Sequence, residues 1–273
     1  MALFTIDRDK CTKDRLCVME CPMQIITMKN DANIPEPVPD AESICINCGH
    51  CVAVCPAGAL SLSTMNVGDC TVINPDWNPG KEVIGNYMKA RRAVRRFRKV
   101  PVEKDKLKEL IDVASHAPSG HNSRPVQWTV FSGREQIKVL AGHVIDWMRW
   151  MKENDPGPAE AMHFDMIIKA WSYGIDVITY NCPALIVAHA EKSNPHGQPA
   201  CTIALSHLEV AAPSFGLGSC WGGFISWAEL TWEPLRQAIS LPEGNAMQGC
   251  MLIGYPQFKY YRVPLREAKI YWK

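Results

Sequence analysis

The stretch 45–56, CINCGHCVAVCP, constrains this chain more than any other. It spaces four cysteines as C-x2-C-x2-C-x3-C and closes on proline. Three thiolates this close together wrap three corners of one polynuclear centre, while the fourth, held on the turn before Pro56, reaches a different one. A 34-residue shift lays the same pattern over the start of the chain. Cys11, Cys17, Cys21 and Pro22 then fall on Cys45, Cys51, Cys55 and Pro56, and apolar Ile26 and Met28 fall on Leu60 and Leu62. One position breaks the match: Asp14 stands where Cys48 stands. Two copies of one supersecondary unit are expected.

The second copy carries the signature of bacterial two-cluster ferredoxins. It implies one iron–sulfur cluster on Cys45, Cys48, Cys51 and Cys21, and a second on Cys11, Cys17 and Cys55 with Asp14 at the remaining corner. Zinc is the alternative, but structural zinc sites use paired knuckles, which a duplicated run of this kind fits poorly. A carboxylate is a harder, weaker iron ligand than a thiolate. The Asp14 corner is therefore expected to be labile, with a [3Fe-4S] form open to that cluster beside [4Fe-4S]. The bland reading of Asp14 is a surface aspartate; resemblance to ferredoxins with aspartate here favours ligation.

Seven of the 12 cysteines fall within the first 55 residues. The start, MALFTIDRDK, lacks the apolar core of a secretory leader, and no apolar run reaches membrane-spanning length. The expectation is a cytoplasmic protein whose clustered thiols bind metal rather than pair. A net charge of +1 gives no bulk attraction to nucleic acid or membrane. The scattered Cys70, Cys182, Cys201, Cys220 and Cys250 read as small buried hydrophobes.

Composition shifts near residue 70. We expect a cluster domain over 1–70, a linker over 71–88 marked by NPDWNPGKEV, and a second domain over 89–273. Three segments of that domain carry signal. A basic head, RRAVRRF, precedes an amphipathic helix with Leu107, Leu110, Ile111 and Ala114 on one face. Such a run is most often a solvated face; a phosphate clamp is the sharper reading. Next, ASHAPSGHNSRPVQWTVF reads as a helix end, a polar turn and a strand. Then HLEVAAPSFGLGSCWGGFIS reads as an apolar helix running into glycines, which permit close backbone approach to a flat ligand.

In this order, with the closing GYPQFKYYRVPLRE, the segments resemble the nitroreductase family of FMN enzymes over 89–273. The whole chain resembles ferredoxin–nitroreductase fusions. The resemblance implies an α+β sandwich in an intertwined homodimer, with FMN between two chains. It implies FMN contacts from Arg91, Arg92, Ala93 (usually serine in the family) and Arg95. Asn122 would meet the ring edge, Arg124 would place a cation near the pyrimidine end, and Ser119 is a further cofactor contact. Backbone groups of Cys220, Trp221, Gly222 and Gly223 would lie beside the flavin, with Arg262 and Arg266 as late phosphate helpers. Electrons are expected from an external low-potential, ferredoxin-like donor through the clusters to FMN, or from NAD(P)H, and then to a small-molecule acceptor such as a nitroaromatic. An electron carrier without its own substrate is the alternative. Trp147, Trp150, Trp171 and Tyr173 read first as core and second as pocket lining.

Overall fold

The computed structural model describes residues 2–30 and 33–273. They form two compact units: Met1–Pro79 with His121–Ser123, and Gly80–Gly120 with Arg124–Lys273.

The first unit runs β1 (Phe4–Ile6), α1 (Leu16–Glu20), β2 (Ile26–Thr27), β3 (Glu36–Pro37), α2 (Ala41–Ile44), α3 (His50–Ala53) and β4 (Leu60–Leu62). β1 pairs antiparallel with β4, Phe4 opposite Leu62, so the unit's ends close on each other. β2 pairs with β3. Phe4, Ile25, Ile26, Val52, Leu60 and Leu62 form its core together with Cys17 and Cys51.

The 34-residue repeat reappears in the backbone. Lys13 and Asn47, Arg15 and Gly49, and Gln24 and Gly58 all have positive φ. Val18 N donates to Arg15 O and Val52 N to Gly49 O, both at 3.0 Å. Gln24 N donates to Cys21 O at 3.0 Å, and Gly58 N to Cys55 O at 3.1 Å. Such turns curl the chain tightly enough to bring successive cysteines to one cavity, and they need left-handed residues, which glycine supplies at least cost.

The second unit begins with α4 (Gly80–Ala90) and α5 (Lys104–Ser115). Next come β5 (Gln127–Ser132), α6 (Arg134–Asn154), α7 (Pro156–Ala161), α8 (Phe164–Ser172), β6 (Ala184–Glu191) and α9 (Gly197–Ala211). β7 (Gly218–Trp221), α10 (Gly223–Glu229), α11 (Glu233–Ile239) and β8 (Asn245–Gly254) complete it. Four antiparallel strands lie in the order β5-β6-β8-β7. Seven consecutive residues of β6 are buried, the signature of a strand covered on both faces. Leu185, Val187, Cys250 and Leu252 face α6, α10 and α11. Ala184, Ile186, Met251 and Ile253 face α5 and α9, where Leu107, Leu110 and Leu208 meet them. The result is the expected α+β sandwich.

Trp147 lies in the first of these layers. It is fully buried, packs on Phe164 and Trp227 with ring centroids 5.4 and 5.1 Å away, and donates from Nε1 to Thr231 Oγ1 at 3.1 Å. It is core, as helical spacing favours. Trp171 is half-buried against the same core, while Trp150 and Tyr173 are exposed. Among the described residues no helix is long and apolar enough to cross a membrane.

Candidate functional site

Two cavities open within the first unit. The first is lined by Cys21, Cys45, Cys48 and Cys51, with Phe4, Ile25 and Leu62 behind them. The second is lined by Cys11, Asp14, Cys17 and Cys55, with Ile6, Ala59 and Leu60. Each cavity thus draws three ligands from one half of the repeat and one cysteine from the other. The electrostatics partition alike. Burial pushes the Cys17 thiol up, and the charges of Cys55 and Cys11 add to it. Burial pushes Cys51 up to about 11, with Cys21 and Cys48 adding.

Four such ligands around each cavity, in the ferredoxin spacing, suit a polynuclear iron–sulfur centre. Asn47 N points at Cys45 Sγ (3.4 Å) and Ala59 N at Cys55 Sγ (3.3 Å). Asp14 is exposed at the rim of its cavity. Its carboxylate accepts from Leu16 N at 3.0 Å, at the start of α1, and from Thr12 Oγ1 at 2.9 Å.

In the second unit a cavity of about 700 Å³ is lined by Tyr87, Arg91, Arg92, Arg98, Ser219 and Lys259, among others. The basic segment runs along the sheet edge: Ala93 bridges Ser219, Val94 N donates to Ser219 O and Arg98 N to Tyr255 O, both at 2.8 Å. Gly218 permits this approach, since a Cβ there would stand 2.5 Å from Val94 Cγ2. The Arg92 Nε is buried without a hydrogen-bond partner. A buried cationic donor left unsatisfied at a cavity is what an anionic ligand group would complete. Arg91 is paired with Glu209 of α9 at 2.7 Å.

The other flavin-contact candidates are distributed as follows. Arg95 is exposed and turns toward Tyr180 and Cys220; burial raises both of those groups, and the Arg95 charge opposes the rise. Cys220 is buried at the end of β7 beside the partly exposed Trp221. Gly222 N donates to Cys250 O at 2.9 Å, and a Cβ on Gly222 would meet Cys250 Sγ at 2.4 Å, so only glycine lets the backbone lie there. Gly223 opens α10 with free space beside it. Ser119 Oγ accepts from Arg124 N at 2.9 Å. Asn122 belongs to the first unit and donates to the carbonyls of Ile46 (3.2 Å) and Asn47 (2.8 Å). Arg262 and Arg266 are exposed in the irregular segment 255–273. One chain therefore gathers Arg91 and Arg92 at a single cavity and places Arg95 by Cys220.

Sequence reading met Arg98 only within the basic run and missed Glu209, Tyr87 and Lys259. Only Glu209 left a signal: a lone acid in the apolar stretch HLEVAA, which calls for a buried partner.

The Nitroreductase family profile matches residues 88–255, and a 4Fe-4S dicluster domain profile matches 10–60. The iodotyrosine deiodinase of Thermotoga neapolitana is 26% identical over 191 residues, which span 68% of this chain and 96% of that protein. A putative NADH dehydrogenase/NAD(P)H nitroreductase of Methanothermobacter thermautotrophicus is 25% identical over 184 residues, 67% of this chain and 83% of the relative. The crystal structure of a nitroreductase with bound FMN from Desulfitobacterium hafniense shares the fold, with a TM-score of 0.56 at 19% identity, covering 70% of this chain and 97% of that one. This chain belongs to the nitroreductase family: it is a flavin-dependent oxidoreductase that carries a 4Fe-4S dicluster domain.

Proposed function

We propose that this chain takes single electrons from an external low-potential, ferredoxin-like donor through its cluster domain and delivers them, by way of FMN, to an electron-poor small molecule. A nitroaromatic is the family's default acceptor, and the likeness to an iodotyrosine deiodinase adds iodotyrosine to those to be assayed. NAD(P)H is the competing donor. The observation that carries the reading is the sorting of eight ligands into two four-ligand cavities within a nitroreductase chain. Clusters of this kind carry one electron at a time, which suits a one-electron donor. FMN, when bound, supplies the exchange between one-electron and two-electron chemistry.

The chain's own residues would bind and orient. The four-ligand sets hold the clusters, with the N–H groups of Asn47 and Ala59 directed at sulfur. Arg92, with its unsatisfied Nε, takes the phosphate end of the flavin, and the glycines of 220–223 admit backbone donors close to its ring. Trp147 stays in the core and does not fill a pocket.

A homodimer completes this reading. α4 has no buried residue and exposes Val83 and Met88, and the segment 255–273 exposes Tyr261, Leu265, Tyr271 and Trp272. Apolar surface of this extent calls for cover, and a second copy supplies it. The thiol-rich domain suits the reducing cytoplasm. The test is anaerobic purification with iron, sulfide and FMN counted per chain. Two clusters and one FMN are expected; zinc in place of iron would end the cluster reading.

A further inference from the structure

We infer that Glu209 is a positioning residue for the cofactor's phosphate, acting through Arg91; this rests on the FMN reading above. Arg91 Nη1 donates to Glu209 Oε1 at 2.7 Å, with the two side chains only 24% and 13% exposed. Partial burial strengthens such a pair and fixes its geometry more tightly than a surface pair. The two backbones are locked together independently of it. Tyr87, near the end of α4, donates from its hydroxyl to Val210 O at 2.6 Å and accepts from Ser214 N at 3.2 Å. The pair is therefore held between two elements pinned beside it.

Arg91 lines the basic cavity together with Arg92. A guanidinium carries five N–H donors in a rigid fork, and the pair with Glu209 uses one of them. The others are held in fixed directions for an anion. Glu209 also offsets one of the positive charges that Arg91, Arg92, Arg98 and Lys259 bring to the same cavity, so the empty site is less self-repelling. Two adjacent arginines thus differ in kind: Arg91 is anchored by a carboxylate, and Arg92 keeps a buried donor unsatisfied.

The opposite electrostatic effect is a real competitor. A carboxylate this close also neutralises Arg91 and would weaken an incoming phosphate dianion. Glu209→Gln separates the two, because the amide keeps an acceptor oxygen for Arg91 and loses the charge. FMN and riboflavin, which differ by the phosphate, are titrated into the flavin-depleted full-length protein by fluorescence quenching. Wild type is compared with Glu209→Ala, Glu209→Gln, Arg91→Ala and the double Ala variant.

If Glu209 positions Arg91, Glu209→Ala weakens FMN by about tenfold and leaves riboflavin unchanged. Glu209→Gln stays within about threefold of wild type, and Glu209→Ala adds nothing once Arg91 is Ala. Should Glu209→Ala fail to fold, Glu209→Asp replaces it, with the same phosphate-specific loss expected. Tighter FMN binding in both the Ala and Gln variants would overturn the inference in favour of simple neutralisation. Equal losses for FMN and riboflavin would overturn it as general damage. Wild-type protein that binds neither flavin would overturn the FMN reading itself.

Discussion

Arg15 and Gly49 share one left-handed backbone conformation, φ 65° and 74°, at equivalent positions of the two halves of the cluster domain. Each precedes the short helix that carries a central cysteine, Cys17 in α1 and Cys51 in α3. The geometry is therefore demanded by the ligand run and not by the residue that happens to occupy it. Arg15 bears the steric cost that Gly49 avoids.

Gly49 has a second reason to be glycine. A Cβ there would stand 2.9 Å from both Sδ and Cε of Met65. Gly49→Ala is expected to destabilise the cluster domain by about 1–2 kcal/mol, from the left-handed backbone plus the displaced Met65. Arg15→Gly at the matching site should shift stability the other way or leave it unchanged. Chemical denaturation of the anaerobic protein, followed by the iron–sulfur absorbance, reads both.

Asp14 lies exposed at the rim of its cavity, the corner expected to hold iron least tightly. Asp14→Cys should retain more iron than wild type after mild oxidation in the presence of a chelator, because thiolate holds iron better than carboxylate. Wild type should lose about one iron per chain first, leaving a [3Fe-4S] signature by EPR. Equal iron loss from both proteins would remove Asp14 from the labile position.

Trp147 closes the layer between α6 and α10. Trp147→Ala should destabilise the second unit by about 3–5 kcal/mol, since it removes a fully buried indole and leaves Thr231 Oγ1 without its donor. Trp147→Phe should cost less but still lose the hydrogen bond. Thermal unfolding of the FMN-loaded protein measures the difference. A neutral Trp147→Ala would mean that this layer is not a packed core.

Alkaline pH should weaken the second unit through Cys250. Burial pushes its thiol up to about 12 from an unfolded value of 9.0. The folded protein thus keeps a proton that the unfolded chain releases. The stabilising contribution is complete below about pH 9 and is lost as pH rises toward 12. Urea midpoints from pH 8 to 11 should fall more steeply for wild type than for Cys250→Ala. Parallel slopes would show that this thiol does not govern the alkaline limb.

What the sequence could reveal depended on how local the cause was. The cluster sites were legible because ligand spacing and the repeat are local, and the exchange of Cys21 and Cys55 between halves follows from the turn before proline. The α5 face of Leu107, Leu110 and Ala114 was legible from its 3.6-residue period. The basic segment was legible only as a charge run. Its division, with Arg91 and Arg92 at the cavity and Arg95 beside Cys220, depends on pairing with Ser219 and Tyr255, more than 120 residues away. Glu209 and Tyr87 escaped for the same reason, since their partners are distant in sequence. Trp147 remained ambiguous because a Trp and Met stripe has the same period whether it faces a core or a ligand.

The central claim is that electrons reach the flavin by way of the clusters. Anaerobic flavin bleaching, followed in wild type and in a Cys45→Ser/Cys48→Ser variant with reduced ferredoxin, NADH and NADPH in parallel, tests it most directly. The account predicts rapid bleaching by reduced ferredoxin in wild type, lost in the variant, with slow bleaching by either nicotinamide. Rapid reduction of the variant's flavin by NADH or NADPH would contradict it.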